Sequence, residues 1–193
     1  RDARDPARIT HGVEALVRQR VYALALGYED LNDHEHLRHD PLFAVLAEAA
    51  DLTAPLAGKS TLNRLELSAA TVPEAERYKK IAVDHAAVDR LFVDAFLQAH
   101  PVPPAEIVLD LDATDDPVHG TQEGRFFHGY YGCYCYLPLY IFAGEHLLGA
   151  RLRPANLDAS AGAVEEVARI VAQLRAGWPA VRIVLRADSG FCR

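Results

Sequence analysis

The sequence predicts an α/β protein in two parts: a helical region over residues 1–104, then strands with one helix over residues 105–193. Three observations carry this. Apolar residues recur at helical spacing through the first hundred positions. Pro101, Pro103 and Pro104 then interrupt helix formation and mark a boundary. Beyond them the apolar residues gather into short runs rich in β-branched and aromatic side chains, which suit strands.

Each element follows from local chemistry. Val13, Leu16, Val17, Val21, Leu24 and Tyr28 form a helical stripe, with Thr10 as N-cap and Gly27 near the end. Asp40-Pro41 sets a capping side chain before a proline at the first helical position, opening a short helix through Leu46 and Ala50. Thr71-Val72-Pro73-Glu74 reads as a capping box. It opens a long helix carrying Ile81, His85, Val88, Phe92, Ala95 and Ala99 on one face. After the prolines, Glu106 to Asp112 reads as a buried strand, residues 125–142 as aromatic strands, and residues 143–146 as a hairpin turn into a strand reaching Arg153. A helix from about Asp158 has the stripe Val164, Val167, Val171, Leu174 and Trp178, with Glu165 and Arg169 paired one turn apart. Gly177 and Pro179 end it, and strand 181–187 follows, so the order is strand, strand, strand, helix, strand.

Composition narrows the class. Half the residues are apolar and a quarter are charged, as in an ordinary globular protein, and no apolar run is long enough to span a bilayer. The N-terminus lacks the apolar stretch of a secretory signal, and three cysteines do not make a disulfide framework, so a reducing cytoplasm is the expected compartment. The net charge of −7 by itself argues against a nucleic-acid partner. Its distribution tells more: residues 101–150 carry −6, whereas residues 151–193 carry +3. A dense acidic segment is what a site for divalent cations requires, and equally what a solvated acidic loop looks like. With no methionine at the start and a buried-type strand at the very end, both termini read as cuts through a longer protein.

Two carboxylates stand at the C-terminal ends of expected strands, Asp112 after Ile107 to Leu111 and Asp188 after Val181 to Ala187. Sites form just outside the carboxyl ends of strands in open sheets. Carboxylates gathered there repel one another unless a divalent cation joins them. Aspartates that merely begin turns would occupy the same positions.

Other motifs carry less. Gly58-Lys59-Ser60 imitates a phosphate loop, but the pattern needs glycine at position 53, where Thr53 stands, and no strand precedes it. A lysine at a helix start touching DNA phosphates is the better use of Lys59, and Arg64 lies on the same helix. Asp33, His34, His36 and His39 have spacing compatible with zinc, although loop histidines are commoner than ligands. Cys133 and Cys135 would share one strand face as packing. Arg151, Arg153, Arg182 and Arg186 either line a DNA path or are solvated strand-end charges.

Several runs resemble a known family. Leu109 to Gly120, containing Asp110-Leu111-Asp112-Ala113-Thr114, is similar to the first catalytic strand of DDE transposases of bacterial insertion sequences, in particular the DDE transposase group 1 family. Gly124 to Tyr131, Leu137 to Tyr140, Ala25 to His34 and Ala57 to Arg64 resemble that family too, and Arg186 to Cys192 resembles its second catalytic motif. The resemblance implies a helical DNA-binding region followed by a truncated RNase H-like core. It implies Asp112 and Asp188 as catalytic metal ligands for Mg2+ (or Mn2+), with Asp110 as a possible accessory. The family's third carboxylate, a glutamate on a later helix, has no candidate here, since the sequence ends five residues after Asp188. The implied activity is transposition, acting on double-stranded DNA at terminal inverted repeats and target sites, with a homodimer pairing two ends. The alternative is a non-catalytic DNA-binding remnant of a transposase. A metal-dependent nuclease of the same fold, without strand transfer, is a third reading.

Overall fold

The computed structural model describes residues 1–66 and 80–192, which fall into two compact units, Arg1–Asp84 and His85–Arg193. The expected capping box at 71–74 lies outside the described residues.

The first unit contains α1 (Val13–Ala25), α2 (His34–Leu37), α3 (Pro41–Leu46) and α4 (Lys59–Glu66). Asp40 caps α3 as expected, accepting from the Leu42 and Phe43 amides at 2.8 and 3.2 Å. On α1, Gly12 rather than Thr10 occupies the N-cap, and the buried face is Leu16, Gln19, Arg20 and Ala23. Of the expected stripe, Leu16 is fully buried while Val17, Val21 and Leu24 are each more than 40% exposed. The reason is the loop backbone packed against α1. Gln19 donates to the Ala57 carbonyl at 2.8 Å and accepts from the Ala57 amide at 3.1 Å. Arg20 donates to the carbonyls of Tyr28 and Glu29 at 2.9 and 2.6 Å and bonds the Glu66 carboxylate. Buried loop carbonyls and amides must find partners, and polar side chains on α1 supply them.

The second unit begins with α5 (His85–Ala99) and continues through β1 (Glu106–Ala113), β2 (Asp116–Pro117), β3 (Phe126–His128), β4 (Cys133–Tyr136), β5 (Leu139–Ala143), β6 (His146–Arg151), α6 (Ala163–Gly177) and β7 (Arg182–Ala187). Ile81 belongs not to the long helix expected from the sequence but to a bridge with Asp2. The helix starts only at His85 and packs Val93 and Phe96 into the core of the sheet. The compact units therefore divide at Asp84–His85, not at the prolines after residue 100.

The main sheet runs β6-β5-β1-β7, with β1 antiparallel to β5 and parallel to β7. A smaller antiparallel sheet runs β2-β4-β3. Ile107, Leu109, Leu139, Ile141 and Leu148 meet Ile170, Leu174 and Trp178 in one hydrophobic core. Along β1 the alternation is clean: Ile107, Leu109 and Ala113 are buried, while Asp112, offset by one position from Ala113, is exposed. Strand β7 lies at the sheet edge, with Leu185 exposed, as is Val164 on α6. Arg169 pairs with Glu166 at 3.1 Å rather than with Glu165.

Candidate active site at the carboxyl end of the central strands

The parallel pairing of β1 with β7 positions the two aspartates. Asp110 registers with Arg186 and Leu111 with Ala187, so Asp112 and Asp188 are the next residues in line on neighbouring strands. Both are exposed. On its other side Asp112 registers with Tyr140 of β5. Asp188 is held by a local turn: its Oδ1 accepts from the Gly190 amide at 2.9 Å and caps the 3-10 turn Ser189–Phe191. The carboxylates brought side by side are thus anchored by sheet register on one strand and by an N-cap on the other.

The Tyr131 phenol is pushed above its ordinary value, first by burial, then by the negative charge of Asp115, with smaller contributions from Asp112 and Asp188. The phenol therefore stays protonated at neutral pH. Sequence reasoning did not single out Asp115 or Tyr131. Asp115 lies in the run quoted for Asp112, but it follows the strand rather than ending it. Tyr131 was one of many aromatics.

Asp110, expected as an accessory ligand, is spent otherwise. Both its oxygens bond Arg186, one at 2.5 Å to Nη2, and this pairing holds its carboxyl below the usual range. It ties β1 to β7.

The arginines expected on a DNA path are also engaged inside the second unit. Arg151 bonds both oxygens of Asp89 and Glu166 Oε1, each at 2.6 Å, joining α5, β6 and α6. Arg153 is buried and donates to the carbonyls of Leu137, Ala159 and Ala161. Strand ends carry unpaired carbonyls, and guanidinium with its five donors satisfies several at once. Lys59 and Arg64 do lie outward on α4; Lys59 Nζ donates to Asn32 Oδ1 at 3.0 Å. His34, considered as a zinc ligand, is fully buried with Nδ1 3.1 Å from Gln19 Nε2. Cys135 is buried beside Cys133, and burial followed by the Cys133 hydrogen bond pushes its thiol up to about 11.

Hard oxygen donors side by side suit a hard divalent cation. Asp112 and Asp188 fit as two such donors, although no group of three or more His, Cys, Asp or Glu side chains converges on a metal position among the described residues. No helix among those residues is long and apolar enough to cross a membrane.

No curated protein and no solved structure matches the chain. Residues 1–193 match the transposase DDE domain, group 1. The mixed sheet, with β1 parallel to the edge strand β7, is accordingly an RNase H-like core, and the family's activity is DNA transposition. With the match spanning every residue from the helical unit to the Asp188 turn, the chain belongs to the DDE transposase group 1 family.

Proposed function

We propose that Asp112 and Asp188 are the first two carboxylates of a metal-dependent site that cleaves transposon-end DNA and joins the freed 3′-hydroxyl to target DNA. The observation that carries this reading is their placement on adjacent residues beyond the registered pairs of two parallel strands. Asp112 and Asp188 would hold Mg2+ or Mn2+ through carboxylate oxygens, Asp188 keeping the orientation set by the Gly190 amide. When bound, such cations supply Lewis acidity to the scissile phosphate and to the attacking water or hydroxyl. The partners are double-stranded DNA, as inverted repeats and target, and a second protomer holding the other transposon end.

The test is strand cleavage by the full-length enzyme carrying Asp112→Asn or Asp188→Asn. Asparagine preserves shape but loses the charge a divalent cation needs. Cleavage should fall below detection in both variants while binding of inverted-repeat DNA stays near wild type. Near-wild-type cleavage in either variant sinks the assignment. DNA retained with and without magnesium, yet never cut by the wild-type protein, would favour a non-catalytic binding role.

A further inference from the structure

Two histidines that the acidic strand ends do not use face each other between α5 and the β5–β6 hairpin. His100 follows the last residue of α5, and His146 opens β6 opposite Ala143. Their ring centroids lie 5.2 Å apart. Asp110 registers with Phe142 and Asp112 with Tyr140, so the hairpin turn lies toward the amino end of β1, away from Asp112.

The pair is held from several sides. Phe96, buried on α5, has its ring 4.5 Å from His100 and 5.3 Å from His146. Trp178 lies 6.2 Å from His100 and closes the cluster from the end of α6. Asp89 and Arg151 join the other end of α5 to the far end of β6. Packing within the second unit therefore sets where both rings stand.

Hydrogen bonding turns this contact into a ligand set. His100 Nδ1 lies 2.8 Å from the Phe96 carbonyl oxygen. A carbonyl can only accept, so Nδ1 carries the proton and the neutral ring presents its lone pair at Nε2. A backbone carbonyl behind the ring, fixing tautomer and orientation, is the arrangement found at metal-bound histidines. His100 Nε2 and both ring nitrogens of His146 bond no described residue, and none of them is sealed from solvent. With metal–nitrogen bonds of about 2.0–2.1 Å, two imidazoles on one tetrahedral ion hold their centroids about 5 Å apart.

We propose that His100 and His146 bind a divalent transition-metal ion that favours imidazole, Zn2+ above all, through His100 Nε2 and one ring nitrogen of His146. No group of three His, Cys, Asp or Glu side chains converges on a metal position among the described residues, so water completes the coordination. The ion ties the end of α5 to the hairpin of the sheet. Mg2+ prefers oxygen donors and is not held there, which keeps this ion apart from the one assigned to Asp112 and Asp188.

Trp178, the single tryptophan, makes the site readable. The full chain is titrated with Ni2+, a paramagnetic quencher that imidazole binds, with Mg2+ present throughout. Trp178 emission should fall with a saturable midpoint in the micromolar range and recover when excess Zn2+ displaces Ni2+. His100→Gln and His146→Gln should each weaken binding at least about tenfold, since even the partners behind a ligand are worth about 10–100-fold. Cys192→Ser and Asp112→Asn should leave the titration unchanged. Zn2+ should also raise the wild-type urea midpoint that Trp178 reports. Folded histidine variants quenched like wild type overturn the proposal, as does quenching only at millimolar Ni2+. An unmoved wild-type urea midpoint overturns it too, whether or not the variants fold. Cleavage plays no part in these readings, so their failure is separate from failure of the Asp112 and Asp188 assignment.

Discussion

The two units bury different kinds of side chain. In the sheet unit, Leu109, Leu139, Ile141, Leu148, Ile170 and Leu174 belong to one large apolar core, with a smaller one around Cys135 and Leu137. Its main ion-pair network, Arg151 with Asp89 and Glu166, is placed around that interior. In the helical unit the described apolar residues gather in two small clusters, one around Phe43 and Leu56 and one around Leu16 and Leu62. Between them lie Gln19, Arg20 and His34, all buried. The sheet unit thus depends on apolar area removed from water, whereas the helical unit depends on polar groups meeting specific partners.

The largest expected effect tests the apolar side. Leu109→Ala empties a fully buried position on the central strand and should cost about 3 kcal/mol. Trp178, the single tryptophan, sits in the same core, so its fluorescence during urea unfolding reports this unit directly. An unchanged midpoint would mean that the core is not the packed body described.

A smaller effect tests the polar side. His34 has its pKa lowered, first by burial and then by Arg20, outweighing the opposite influence of Asp33 and Glu66. Its Nε2 is buried without a partner. The unfolded chain therefore binds a proton more readily than the folded one, and stability is lost as pH falls below about 6.5, the unfolded value. His11 is shifted in the same direction by burial, Arg38 and Arg4. The protection factor of the Ala57 amide, which Gln19 holds, should drop through this window while Trp178 unfolding stays flat. His34→Gln should reduce the slope; a slope untouched by that change would remove His34 from the explanation.

The smallest effect concerns the outward face of α1. Val21→Lys should alter stability by no more than about 0.5 kcal/mol, because Val21 is 55% exposed. A loss of several kcal/mol in thermal melting would mean that the helix buries the face its apolar spacing suggests.

Much was legible beforehand. The strand at residues 106–112, the Asp40 cap, the strand after Pro179 and the aspartates at both strand ends were all readable, because local propensity, capping and two-residue alternation are properties of short segments. Other features were not. The face of α1 that points inward depends on loop carbonyls at Tyr28, Glu29 and Ala57, distant in sequence or outside the helix. The fate of Asp110 depends on Arg186, which stands opposite only once β7 pairs with β1. The same holds for Arg151, drawn inward by Asp89 from α5 and Glu166 from α6.

The sequence by itself determined the change from helices to strands, the acidic strand ends and the family. Tertiary structure alone decided that α5 belongs with the sheet, that Asp110 pairs with Arg186, and that Arg151 is drawn to Asp89 and Glu166. The physical reason is range: alternation and capping act within a few residues, whereas which charge meets which depends on strand register and packing between residues far apart in the chain.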